Sequence, residues 1–194
     1  MISAHDVKDS YQCHKCNSNS STNDNFKGHK NSAYRFLKIG SLNICRGLFS
    51  KKELLIDTLQ EKNFDIFGVS EIDLENVDEE KPFTLKGYKS YFPLKRLNCN
   101  KTRLVCLVEN DLEVTVRKDL MSNLLSNVWL ELNGTRHKAL ICLIYREFND
   151  LTSKNQMTIK NQLERWKLFH EQVERASRCG IIVGIGDMNL INNF

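Results

Sequence analysis

Five polar residues follow apolar runs in this sequence: Asn43, Glu71, Tyr145 and the Asp187/Asn189 pair. Each run reads as a strand, so a sheet that gathers the strand ends would bring two carboxylates, two amides and a phenol to one rim. Hard oxygen donors of this kind suit Mg2+ or Mn2+, which take few carboxylates and keep waters, whereas zinc asks for clustered His and Cys. The natural chemistry of such a rim is hydrolysis of a phosphate ester, in which the ion neutralises phosphoryl charge and a carboxylate orients or activates water. Taken singly, the same residues have ordinary structural explanations. Asn43 also fits a turn at a strand end, Glu71 the start of the acidic loop EIDLENVDEE, and Tyr145 a half-buried aromatic. Gly186-Asp187-Met188-Asn189 is the most specific piece, because glycine permits close backbone approach and polar side chains two apart share one side of an extended chain.

The elements that must position these residues begin at Tyr34. Residues 36–44 form an apolar run suited to a buried strand, and Ser50 with Glu53 makes a capping box at the start of the helix LLIDTLQEK. Residues 64–70 are the next strand and deliver Glu71 at its C-terminal end. Strands follow at 88–92, 104–108, 112–116, 128–132 and 139–145, and Asn133-Gly134 signals a hairpin between the last two. A long helix comes next. Ile159, Leu163, Trp166, Phe169, Val173 and Ala176 recur along it at steps of three and four, a single apolar stripe expected to face the core. Gly180 stops the helix, and residues 181–185 form a last buried strand leading into Asp187. No internal sequence repeat is visible.

Composition bounds the class. The 194 residues are 41% hydrophobic and 27% charged, with only 9 Gly and 2 Pro, which fits one globular domain and excludes collagenous, Pro-rich and linker-like chains. A net charge of +4 permits a nucleic-acid partner without requiring one. Residues 1–33, rich in Asn, Ser, Lys and His around NSNSSTNDN, read as a disordered leader. Within it, Cys13 and Cys16 form half of a zinc site whose other half has no counterpart, so the pair reads as incidental. The seven cysteines are odd in number, and Cys45, Cys106 and Cys142 sit inside apolar runs, which favours reduced, buried thiols. With neither a signal peptide nor a membrane-length apolar run, the expected setting is intracellular, nuclear or cytoplasmic, with no membrane partner.

Read in order, SLNICRG at 41–47, FGVSE at 67–71, LIYREFN at 143–149 and GIGDMN at 184–189 resemble the endonuclease/exonuclease/phosphatase superfamily, the DNase I-like metal-dependent phosphodiesterases. The match covers residues 34–189. The tyrosine segment, a long helix carrying Trp166 and then the Gly-Asp-x-Asn strand look most like the endonuclease domain of non-LTR retrotransposons. The resemblance implies a four-layer α/β/β/α sandwich with the site at one edge of both sheets. It implies that Glu71 ligates Mg2+ (or Mn2+) with help from Asn43, that Tyr145 contacts the scissile phosphate, that Asn189 helps bind it, and that Asp187 orients or activates the attacking water. Asn149 corresponds to a further substrate-binding asparagine after the tyrosine motif. DNA is the implied partner, and no small-molecule cofactor is implied.

Two departures stand out. The family's Gly-Gly-Val-type segment is replaced here by Lys101-Thr102-Arg103-Leu104-Val105-Cys106, and the closing serine-aspartate-histidine segment has no counterpart before Phe194. His137 and His170 match no such motif. The resemblance therefore implies a fold incomplete at its C-terminus and a DNA endonuclease that is weakly active or inactive as this chain. Two other functions remain open from the sequence. One is a non-catalytic module binding nucleic acid or protein through Lys95, Arg96, Lys101, Arg103 and Arg117; the other is a phosphatase of the same superfamily.

Overall fold

Apolar runs that alternate between two buried faces dictate the architecture. The computed structural model describes residues 36–75, 83–95, 101–133, 138–146 and 156–188. Asn149, Asn189, Arg96, the 1–33 segment and the Cys13/Cys16 pair lie outside those residues. The elements are β1 (Ile39–Asn43), α1 (Lys52–Lys62), β2 (Ile66–Glu75), β3 (Tyr88–Tyr91), β4 (Lys101–Glu109) and β5 (Val114–Val116), then a 3-10 turn (Lys118–Leu120), β6 (Ser126–Leu132), β7 (Ala139–Tyr145), α2 (Gln156–Ser177) and β8 (Ile181–Asp187).

They form two four-stranded sheets, ordered β1-β2-β4-β3 and β5-β6-β7-β8. In each sheet the edge strand runs parallel to its neighbour, β1 to β2 and β8 to β7, through a helical crossover, and the remaining pairs are antiparallel. Three apolar layers separate four structural layers. Leu55 and Leu59 of α1 pack on Phe67, Val69, Val105 and Leu107. Between the sheets, Ile66, Leu104, Cys106 and Val108 meet Val128, Leu130, Ile141, Leu143 and Tyr145. On the far side Trp129, Leu140, Cys142 and Ile144 meet Phe169 and Ala176 of α2. Strands covered on both faces must be apolar at consecutive positions, which is why residues 104–108 and 140–144 read as unbroken runs. The result is the expected α/β/β/α sandwich.

Several local expectations give way. The capping box does not form: α1 starts at Lys52 with no side-chain cap, and Ser50 instead donates to the Gly47 carbonyl at 2.9 Å in the preceding turn. Cys106 and Cys142 are buried free thiols, but Cys45 is exposed because it sits in the turn after β1 rather than in the strand. Burial pushes the Cys106 thiol up to about 12, so it stays protonated at neutral pH. The β6–β7 hairpin forms in the register Leu132↔Ala139, which leaves residues 133–138 as the connection, longer than a two-residue Asn-Gly turn.

The stripe on α2 is the largest correction. Phe169 and Ala176 are buried as expected, but Leu163 is 64% exposed and Trp166 41%. Gln162 and Gln172 are buried instead. The reason lies on β6, where Asn127 Nδ2 and Trp129 Nε1 are buried donors, and both reach Gln172 Oε1, at 2.5 and 3.3 Å. A buried donor needs an acceptor, so an amide takes the inner position and the helix face turns accordingly.

Candidate active site

All four described candidate residues face the layer between the sheets at one rim. Along β1, Ile39 belongs to the inter-sheet layer and Leu42 to the α1 layer, so alternation turns Asn43 inward. On β7, Ile141, Leu143 and Tyr145 face inward together. Ile185 of β8 does the same, and Asp187 follows two residues later. Tyr145 and Asp187 are register partners in the parallel β7–β8 pair.

Glu71 reaches the rim by a different route. It lies inside β2 rather than at its end, where the pairing with β4 jumps from Ser70↔Leu104 to Leu74↔Thr102. Three residues of β2 therefore oppose one of β4. Glu71 and Asp73 both adopt left-handed backbone, with φ of 57° and 55°. Val69 and Ile72, three apart, both face the α1 layer, which regular alternation forbids. This bulge reverses the side-chain direction and turns Glu71 toward the other sheet. Left-handed backbone at two non-glycine residues costs roughly 1–2 kcal/mol each, strain held by the pairing on either side.

Side-chain bonds then link the two sheets. Asn43 Nδ2 donates to Glu71 Oε1 at 3.0 Å and to Asp187 Oδ2 at 2.8 Å. Tyr145 OH donates to the same Glu71 oxygen at 3.3 Å. Asn43 Oδ1 accepts the Cys45 backbone N–H at 2.9 Å, which fixes the amide with its nitrogen toward the carboxylates. The turn that supplies this N–H, Cys45-Arg46-Gly47, runs through three left-handed residues and is tied to β2 by Arg46 N–H donating to the Glu71 carbonyl at 3.0 Å. Gly186 makes the β8 side possible. Its φ is 129°, and a Cβ there would sit 1.9 Å from the Ile144 carbonyl oxygen. The glycine lets β8 run against β7 closely enough to present Asp187 beside Tyr145.

Asn149 and Asn189 lie outside the described residues, so the rim as described holds two carboxylates, one amide and one phenol. Among the described residues no cluster of three or more His, Cys, Asp or Glu could cage an ion by itself. Two carboxylates beside an amide are nevertheless oxygen donors of the kind Mg2+ takes, and the residues present fit it. His170 lies 3.6 Å from Glu174 on an exposed face of α2.

Of the basic residues considered as a binding patch, Lys101, Arg103 and Arg117 are paired with carboxylates. Lys101 and Arg103 on β4 each sit 3.2 Å from Asp73. Arg117, beside the other sheet, pairs with Asp119 at 2.7 Å and Glu131 at 2.6 Å. Its guanidinium holds both carboxyls below their ordinary ranges, and they in turn raise its own affinity for a proton. The bulge and these ion pairs are features the sequence reading missed; an acidic residue two after Glu71, facing Lys101 and Arg103, was the available signal for the first.

No protein-family model matches the sequence, and no curated protein does. The α/β/β/α fold is DNase I-like. Among solved structures, the chain is similar to the endonuclease domain of TRAS1, a telomere-specific non-LTR retrotransposon, with 17% identity, a TM-score of 0.52, and 80% of this chain against 60% of that one. It is similar to the Xenopus laevis APE2 catalytic domain, with 17% identity, a TM-score of 0.58, and 79% against 59%. It is also similar to the Neisseria 3′ phosphatase NExo bound to a product DNA hairpin, with 14% identity, a TM-score of 0.57, and 80% against 58%. The chain thus spans about three fifths of the length of these structures. Identities this low carry the fold and leave the activity to the site.

Proposed function

We propose that this chain carries a divalent-metal-dependent phosphodiesterase site of the retrotransposon endonuclease type, acting on DNA with Mg2+ or Mn2+. The observation that supports it most is the meeting of Asn43, Glu71, Tyr145 and Asp187 at one rim, two residues from each sheet, through bonds of 2.8 to 3.3 Å. Glu71 would hold the cation, and the ion would supply charge neutralisation at the phosphoryl group. Asn43 spaces the two carboxylates; to place its oxygen on the ion the amide must turn over and release Cys45 N–H. Tyr145 presents its phenol to a phosphate oxygen, and Asp187 takes the position of the residue that orients or activates water. Asn189 and Asn149 are proposed to bind the phosphate alongside Tyr145.

Of the residues the binding-module alternative invokes, Lys101, Arg103 and Arg117 pair with carboxylates of their own chain. The decisive experiment is nicking of supercoiled plasmid under a Mg2+ titration, with Glu71→Gln and Asp187→Asn as comparisons. Nicking should require the metal and fall by about a hundredfold or more in either variant. Nicking that persists in chelator, or equally in both variants, would refute the assignment.

A further inference from the structure

Glu71 stands at the rim only because β2 departs from its ladder. The register with β4 passes from Ser70↔Leu104 to Leu74↔Thr102, so Arg103 is the residue of β4 set against Glu71, Ile72 and Asp73. The same arginine meets the end of this bulge: its Nε lies 3.2 Å from Asp73 Oδ1, while Lys101 Nζ donates to Asp73 Oδ2 at 3.2 Å. Asp73 Oδ1 is fully buried and accepts no hydrogen bond among the described residues, so the charge of Arg103 is what compensates it. On its other flank the bulge is tied to the turn after β1, where Arg46 N–H donates to the Glu71 carbonyl at 3.0 Å. Glu71 and Asp73 both hold left-handed backbone with one residue between them. A bulge that uses two unfavourable backbone conformations persists only where its surroundings over-determine it.

We propose that Asp73, clamped by Arg103 and Lys101, is a positioning residue for Glu71, its ion pairs locking the bulge in the form that aims the Glu71 carboxylate at Asn43 and Tyr145. This rests on the phosphodiesterase reading in one respect, that Glu71 holds the cation, and it deepens that reading by naming what sets the ligand in place. Asp73 itself stays out of the ligand set, because both its oxygens face cations of β4. The Asp73 and Arg103 side chains are only 17% and 23% exposed, so salt and water screen their attraction incompletely. Without the Asp73 charge the segment is free to take ordinary strand conformations. Val69 faces the α1 layer, so regular alternation would then turn Glu71 to that side and away from the other sheet.

The test reads the bulge in the full chain, first without metal. By NMR amide exchange, Asp73→Asn should speed exchange at Arg46 N–H about tenfold or more and leave the β6–β7 amides unchanged. Arg103→Leu should do the same, whereas Arg103→Lys, which keeps the charge, should retain slow exchange. Mn2+ alone is then titrated, with the free ion counted by electron paramagnetic resonance. Asp73→Asn should weaken Mn2+ binding about fivefold or more, yet add nothing to the loss caused by Glu71→Gln, because the clamp acts through Glu71. Unchanged exchange at Arg46, equal acceleration throughout β6–β7, or a further loss of Mn2+ in the double variant overturns the proposal. Mn2+ bound equally by wild type and Glu71→Gln, beside fast Arg46 exchange in Asp73→Asn, refutes the metal reading of the rim and leaves the clamp standing.

Discussion

The two sheets follow one plan. Each has an edge strand, a helical crossover and a parallel neighbour, then antiparallel strands, and each contributes two side chains to the rim. They reach it by opposite means. The first sheet keeps an apolar helix contact through Leu55 and Leu59 and places its irregularity in a strand, where a bulge with two left-handed residues turns Glu71 inward. The second keeps β7 regular through Tyr145 and places its irregularities in Gly186 of the edge strand and in a helix face that buries amides. One plan therefore tolerates two kinds of departure, and in both sheets a departure lies beside a candidate residue. The absence of a sequence repeat is consistent with this, since a shared backbone plan asks only for apolar runs of the right length.

Substitutions can break or sharpen the contrast. The largest effect should come from Gly186→Ala, whose Cβ collides with the Ile144 carbonyl; we expect a loss of about 3 kcal/mol or more in urea unfolding. Gly184→Ala, two residues earlier in the same strand with nothing within 4 Å of the added carbon, should change stability by less than about 0.5 kcal/mol. Equal costs for the two would remove the special role of Gly186.

Next in size is Gln172→Leu. It conserves bulk but strands two buried donors, Asn127 Nδ2 and Trp129 Nε1, and should cost about 2 kcal/mol by the same measurement. No loss would mean that α2 is held by apolar contact alone, as α1 is, and the contrast between the helices would collapse.

The smallest effect carries the opposite sign. Glu71→Gly relieves left-handed strain and should stabilise by about 1 kcal/mol or less, while eliminating any metal-dependent nicking. Destabilisation there would show that the hydrogen bonds from Asn43 and Tyr145 outweigh the backbone strain.

Much of this was legible in the sequence because of the layering. Strands buried on both faces announce themselves as unbroken apolar runs, and the polar residues just past such runs, Asn43, Tyr145 and Asp187, are those the fold brings to one rim. For Glu71 the pattern predicts a strand end, whereas the strand continues to Glu75, because a bulge built on Glu-Ile-Asp carries no glycine or asparagine to flag it. The inner face of α2 was missed because Gln162 and Gln172 look like surface residues until the donors of Asn127 and Trp129 are known. The Ser50 cap failed because a box four residues long fits the turn before the helix as well as the helix itself.

The bond from Asn43 to Asp187 spans 144 positions of the chain, and the one from Asn43 to Glu71 spans 28. Neither sheet alone can complete the arrangement, so the rim comes into being only when the two halves dock, after the local hairpins and crossovers have formed. Its integrity is thereby a gauge of the final folding step. Any partly open form that parts the sheets while keeping each intact would retain nearly all secondary structure and still lack the Asn43–Asp187 and Tyr145–Glu71 bonds, so far-ultraviolet circular dichroism would miss the loss of the rim.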